Sequence, residues 1–236
     1  MRRILFAACL FVLPTPLYAD DMADCAKDDV AVSLAGCTAV IEAGQESAVN
    51  MARAYFNRAI SHRENGDGAS SLADFNKAIE MLPDEGIFYI NRGSLYYQAE
   101  EYEKALADFD QAIELMPDAP EPYYNAGNAL GELGKSEDAI VEYDRAIEIN
   151  PEYVSAYLNR GNIFAGLKQH DKALVDFLKV IELQPDHIAA SFNAGRSFAA
   201  IGDKQKAAEL FNKVIAADPN GQVAGLARQE LDKLNP

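Results

Sequence analysis

Proline stands at Pro83, Pro117, Pro151, Pro185 and Pro219, always 34 residues after the last. An aromatic column keeps step with it: Phe75, Phe109, Tyr143, Phe177 and Phe211. So does a column of small residues: Ala59, Gly93, Gly127, Gly161 and Gly195. Self-similarity at this period is the mark of stacked supersecondary units, each too small to bury its own apolar face. A chain built this way is constrained to a solenoid, and it offers a partner an extended surface in place of a single deep cleft.

Within each block the pattern predicts two helices. In the third, the first helix is expected over about 122–133, ending at Gly134, and the second over about 137–149, ending before Pro151. Glycine after a helix and proline beyond it are stop signals. Apolar residues recur every three or four places, as in Ala105, Phe109, Ala112, Ile113 and Met116, which is one buried helical face. Asp84, Asp118, Asp186 and Asn220 follow four of the prolines and are placed to cap the next helix. Gly127 and Ala139 leave room for the two backbones to approach, with Tyr143 expected to fill the gap between blocks.

These blocks resemble the tetratricopeptide repeat. In the third block Tyr123, Tyr124, Asn125, Ala126, Gly127 and Asn128, followed by Ala139, Tyr143, Ala146 and Pro151, carry the family's motif almost in full. The first block departs most, with Ala59 in place of glycine and Ser71 in place of alanine. The resemblance implies an all-α fold, an α-solenoid of helix-turn-helix repeats in a right-handed superhelix. The expected repeats are 52–85, 86–119, 120–153, 154–187 and 188–221. Residues 222–236 read as a C-terminal capping helix, with Val223, Leu226, Ala227, Leu231 and Leu234 on its apolar side.

The N-terminus reads differently. Arg2 and Arg3 precede an apolar run, Ile4 to Leu13, too short to span a bilayer comfortably, and Pro14 and Pro16 then break it. Residues 1–19 are expected to be a secretory signal peptide cut after Ala19; an uncleaved anchor is the other reading. Export to the periplasm or beyond follows. Cys9 falls within that leader, leaving Cys25 and Cys37 with eleven residues between them. An even count in an exported chain predicts a disulfide, against two free buried thiols. Residues 20–51 form the head: 20–32 acidic and loosely ordered, and 33–43 an orphan second helix in which Cys37 stands where Tyr143 stands in the third repeat.

Composition narrows function by exclusion. The formal charge is −16, and loss of Arg2 and Arg3 would make it more negative. Such a field repels nucleic acid and anionic membranes. It gives solubility, or attraction to a basic protein partner. No membrane insertion is expected after leader cleavage. His62, His170 and His187 lie in different repeats without metal-ligand spacing, and no nucleophile elbow, phosphate loop or calcium loop is spelled out. The chain is therefore read as non-enzymatic, without cofactor.

One polar column interrupts the apolar ones: Asn57, Asn91, Asn125, Asn159 and Asn193. In the family the first helices line the concave side, so the resemblance implies an asparagine ladder there. An amide both donates and accepts, which suits the backbone of an extended peptide; equally, it can bond a neighbouring helix. Asn128 and Asn162, three places on, extend the strip. Phe56, Ile90, Tyr124, Leu158 and Phe192 precede the asparagines, either as pockets for peptide side chains or as packing between helices. Ile90, Tyr124, Leu158 and Phe192 occupy positions where some family members place lysines that clamp a terminal carboxylate, so no such clamp is expected. An adaptor binding an extended segment is the favoured reading; a structural subunit of an envelope assembly, or a cell-wall glycan binder, is the alternative.

A last pattern is internal. Arg58, Arg92 and Arg160 are each followed sixteen residues later by Asp74, Asp108 and Asp176; where the arginine becomes Ala126 the partner becomes Glu142, and where it becomes Ala194, Leu210. Columns that change together predict three ion pairs between the helices of a repeat.

Overall fold

The computed structural model describes residues 18–234, which form thirteen α-helices with no strand among the described residues. The predicted leader, with Cys9, lies outside them except for Tyr18 and Ala19, which open the first helix. The chain divides into two compact units, Met1–Asp84 and Glu85–Pro236.

The first unit holds α1 (Tyr18–Cys25), α2 (Val30–Ala43), α3 (Ala48–Glu64) and α4 (Gly68–Met81). Residues 20–32 are not loose: they contain most of α1 and the start of α2, and α2 has a helical partner. Alone, eight residues of α1 are too short for a stable helix. Three features hold it on α2. Cys25 and Cys37 form a disulfide with their Cα atoms 4.4 Å apart. Gly36 lets the α1 backbone come so near that a Cβ there would meet the Cys25 nitrogen at 2.7 Å. Ser33 Oγ donates to the Cys25 carbonyl at 2.9 Å. The head is thus a shortened hairpin of the same kind as those that follow.

The second unit holds α5 (Gly86–Gln98), α6 (Tyr102–Leu115), α7 (Pro120–Glu132), α8 (Ser136–Ile149), α9 (Val154–Gly166), α10 (His170–Leu183), α11 (Ile188–Ala200), α12 (Lys204–Ala217) and α13 (Gln222–Leu234). Consecutive helices pair as α5–α6, α7–α8, α9–α10 and α11–α12, and each second helix packs on the next first helix.

The two periodic columns meet inside each hairpin. A Cβ on Gly93, Gly127, Gly161 or Gly195 would lie 2.7 to 2.8 Å from the ring of Phe109, Tyr143, Phe177 or Phe211 respectively. The aromatic ring therefore sits flush on its own first helix, and Tyr143 also borders Asn159 and Ile163 of the next repeat. Phe75, Phe109, Phe177 and Phe211 are essentially inaccessible. Each such ring contributes on the order of 2 kcal/mol of burial free energy.

Helix entry differs from the sequence reading. Asp84, Asp118, Asp186 and Asn220 lie in turns, and the cap position of the following helix falls one residue later, at Glu85, Ala119 and His187 for three of them. Of those three, only His187 accepts a bond from its helix, from Ala190 N at 3.2 Å. Other side-chain caps come from Asp29, Ser47, Asp67 and Asp203, which accept from Val32 N, Asn50 N, Ser70 N and Lys206 N on α2, α3, α4 and α12. On α13 the buried positions are Ala224, Ala227 and Leu234, while Leu226 is 43% exposed, turned away from the face predicted for it.

The three arginine pairs form as the covarying columns predict. Arg58 Nε and Nη2 reach Asp74 at 2.7 and 2.9 Å. Arg92 reaches Asp108 at 2.8 and 2.6 Å, and Arg160 reaches Asp176 at 2.9 and 2.5 Å. Each is a two-pronged contact whose planar geometry fixes the register of the two helices.

Candidate functional site

In the second unit the first helices of successive hairpins touch each other, α5 with α7, α7 with α9, α9 with α11 and α11 with α13, whereas the second helices do not. The first helices are therefore the crowded, inner side of this stack. Their exposed surface carries Asn91, Asn125, Asn159 and Asn193, all half-buried. Asn57 occupies the same place on α3 in the first unit.

The amides do not act alike. Asn159 Nδ2 donates to Asn128 Oδ1 at 2.8 Å and to the Tyr124 hydroxyl at 3.3 Å. Asn193 Nδ2 donates to Asn162 Oδ1 at 2.8 Å. The residues three places on are thus the acceptors, and each pair ties one repeat to the next. Asn128 Oδ1 also accepts from the Tyr143 hydroxyl at 2.7 Å. Asn91 instead donates to its own helix, at the Ile87 carbonyl, and Asn57 to the Cys25 sulfur at 3.9 Å. Each inter-repeat pair leaves one amide acceptor, on Asn159 or Asn193, and one amide donor, on Asn128 or Asn162, outside those bonds.

The apolar residues before the asparagines divide as well. Ile90 is 2% exposed and so cannot offer a ligand pocket. Phe56, Tyr124, Leu158 and Phe192 are half-buried. Phe192 lies 5.8 Å from Phe211 and Phe56 the same distance from Phe75, ring centre to ring centre. Tyr124 meets Tyr153 edge-on at 5.1 Å. Leu158 packs against the core around Phe177 and Phe211. Their packing role is evident in each case.

Sequence reasoning missed Tyr97. It lines a cavity of about 260 Å³ together with Asn128, Glu132, Tyr143 and Asn159. It also borders a second, of about 220 Å³, with Ser94, Gln98 and Asn125. Its hydroxyl donates to Glu132 at 3.4 Å, and burial, then the Glu132 charge, pushes its pKa up to about 12. The signal was present: Tyr97 is aromatic where later repeats carry Gly131, Ala165 and Ala199. Burial likewise raises the Tyr143 phenol.

No group of histidine, cysteine, aspartate or glutamate side chains among the described residues is arranged to hold a metal ion. No helix among them is long and apolar enough to cross a membrane.

Family models described as TPR repeat match residues 93–134 and 127–168, and models described as tetratricopeptide repeat match 154–187 and 176–221. The chain belongs to the tetratricopeptide repeat family. Among solved structures it is similar to YrrB, described as a TPR protein with an unusual peptide-binding site, at 28% identity and TM-score 0.67, covering 82% of this chain and 97% of YrrB. PilF of Pseudomonas aeruginosa aligns over 90% of this chain and 95% of its own at TM-score 0.74 and 14% identity. MamA aligns over 71% and 92% at TM-score 0.67 and 23% identity. No curated protein matches the chain.

Proposed function

We propose that this protein is a non-enzymatic adaptor that binds an extended protein segment along the first-helix face of its second unit. The observation that carries this reading is the half-used asparagine pairs. Each leaves a donor and an acceptor on the same face, the two groups a peptide backbone needs whatever its side chains. Helix layers stack roughly 10 Å apart, and an extended chain advances about 3.3 Å per residue, so successive pairs would meet about every third residue of a bound segment. The cavities beside Tyr97 would take its side chains. The likeness to YrrB, a protein described as binding peptide, supports the same assignment.

The protein is assigned to the cell envelope. The leader-like N-terminus and the Cys25–Cys37 disulfide both fit an exported chain in an oxidising compartment. Envelope assembly through other faces is the second reading, favoured by Val141 and Val175, which are 61% and 67% exposed on α8 and α10. Isolated exposed valines are ordinary on a soluble surface, so the peptide reading is preferred.

The test is retention of peptides from a random decapeptide library by the purified protein and by a variant with Asn125, Asn159 and Asn193 all changed to alanine. The wild type is expected to retain peptides that the variant releases, with thermal unfolding confirming that the variant is folded. Retention of the same peptides by both proteins would overturn the reading.

A further inference from the structure

One cavity on the first-helix face differs in chemistry from the rest. It has a volume of about 430 Å³ and lies between α9, the start of α10 and α11. Its polar lining is Asn162, His170, Asn193, Arg196 and Ser197. Asn193 donates to Asn162 there, leaving the Asn162 amide N–H groups outside that bond. Ser197 is 2% exposed and its side chain lines the same opening. His170 Nδ1 is buried and lacks a hydrogen-bond partner among the described residues. Arg196 is exposed, leans over the Phe192 ring at 6.0 Å and has no carboxylate within ion-pair distance among them. No Asp or Glu lines the cavity.

Comparison with the equivalent cavity one repeat earlier isolates what changed. There the corresponding positions are Glu132 for Gly166, Asn162 for Arg196 and Ile163 for Ser197. In moving one repeat along, the face loses a carboxylate and gains a guanidinium and a hydroxyl. A buried ring nitrogen without a partner costs free energy unless something fills its bonding capacity. A guanidinium, an amide N–H and a hydroxyl around one opening match the two oxygens of a carboxylate.

We propose that the cavity between α9 and α11 is a carboxylate subsite, in which Arg196, with Ser197 and Asn162, receives an acidic side chain or the terminal carboxylate of a bound peptide. This rests on the peptide-binding reading above and adds the ligand's charge to it. The residues differ from those of the terminal-carboxylate clamp expected to be missing from this sequence.

The test uses the decapeptide library in two forms, with free and with amidated C-termini, on the purified protein and on Arg196→Gln, Arg196→Lys and Ser197→Ala. From the amidated library, retained peptides are expected to be enriched in Asp or Glu at one position. Enrichment confined to the free-carboxylate library would identify the chain terminus as the source; either result supports the subsite. R196Q is expected to weaken a selected peptide about tenfold or more. That loss should vanish for the Asn or Gln analogue of the peptide, or for its amidated form. R196K should retain part of the affinity, S197A should lose less, and thermal midpoints should stay put because Arg196 is exposed. Retained peptides without acidic preference in both libraries, or an R196Q affinity equal to wild type, would overturn the subsite. The groove reading would survive that outcome if the triple asparagine variant still released the peptides. A wild type that retains nothing would sink both.

Discussion

Arg160 joins three helices. Beyond its two contacts with Asp176 it reaches back to Asp144 on the preceding hairpin at 2.5 Å. Burial works against its charge, but the two carboxylates outweigh burial and hold the guanidinium above its usual pKa. One repeat earlier the arginine position is Ala126, and the two carboxylate positions are Asp110 and Glu142. Glu142 is pushed above the usual glutamate range, by burial first and then by Asp110 and Asp138. A carboxyl whose pKa rises on folding supports stability below its unfolded pKa and loses that support as pH rises through the folded one. Glu142→Gln, which removes the disfavoured charge, is therefore expected to stabilise the protein by about 0.5–1 kcal/mol near neutral pH. The gain over wild type should shrink as pH falls from about 7 to about 4. Urea unfolding at several pH values measures both. The arginine–aspartate columns were legible because two positions changed together within one chain. The pairing of Asn159 with Asn128 was not, since period places two amides near each other without setting which way either turns.

Among the elements, α1 departs most from the sequence reading. Its acidic stretch, Asp20, Asp21, Asp24 and then Asp28 and Asp29, has the composition of a loose segment. What overrides composition is tertiary: the sulfur bridge and the close approach at Gly36, neither of which local propensity contains. Changing Cys25 and Cys37 to serine together is expected to cost about 3 kcal/mol on the chain-entropy account of an eleven-residue loop. Amide hydrogen exchange should quicken over α1 and the start of α2, and stay unchanged in α7 to α12. The repeats were legible for the opposite reason. Their helices are set by stop signals and a buried stripe that recur five times, so a single departure such as Ala59 does not obscure the pattern. Cap positions were misplaced by one residue because the turn after each proline takes one more residue before the helix begins.

At the scale of the whole molecule, stability in a stack depends on neighbours, and the terminal element matters more than its length implies. In the second unit α13 covers Phe211 and Val214 through Ala227, Leu234 and the partly buried Val223 and Leu231. Removal of residues 222–236 is expected to cost on the order of 3–5 kcal/mol of burial. Exchange protection should fall first in α11 and α12 and persist in α7 and α8. Uniform loss of protection across the unit would contradict nearest-neighbour stacking. That the molecule is a stack was readable from period alone. Which surface is available to a partner was not, because Ile90 and Leu158 are both aliphatic residues in one column and the sequence does not show what covers each.

The asparagine pairs have a direction. In both, the nitrogen comes from the later repeat and the oxygen from the earlier one. What remains, read from N- to C-terminus, is always N–H first and C=O second. A backbone that satisfied both would have to run one way along the row, so the polarity of a bound segment is fixed whatever its side chains.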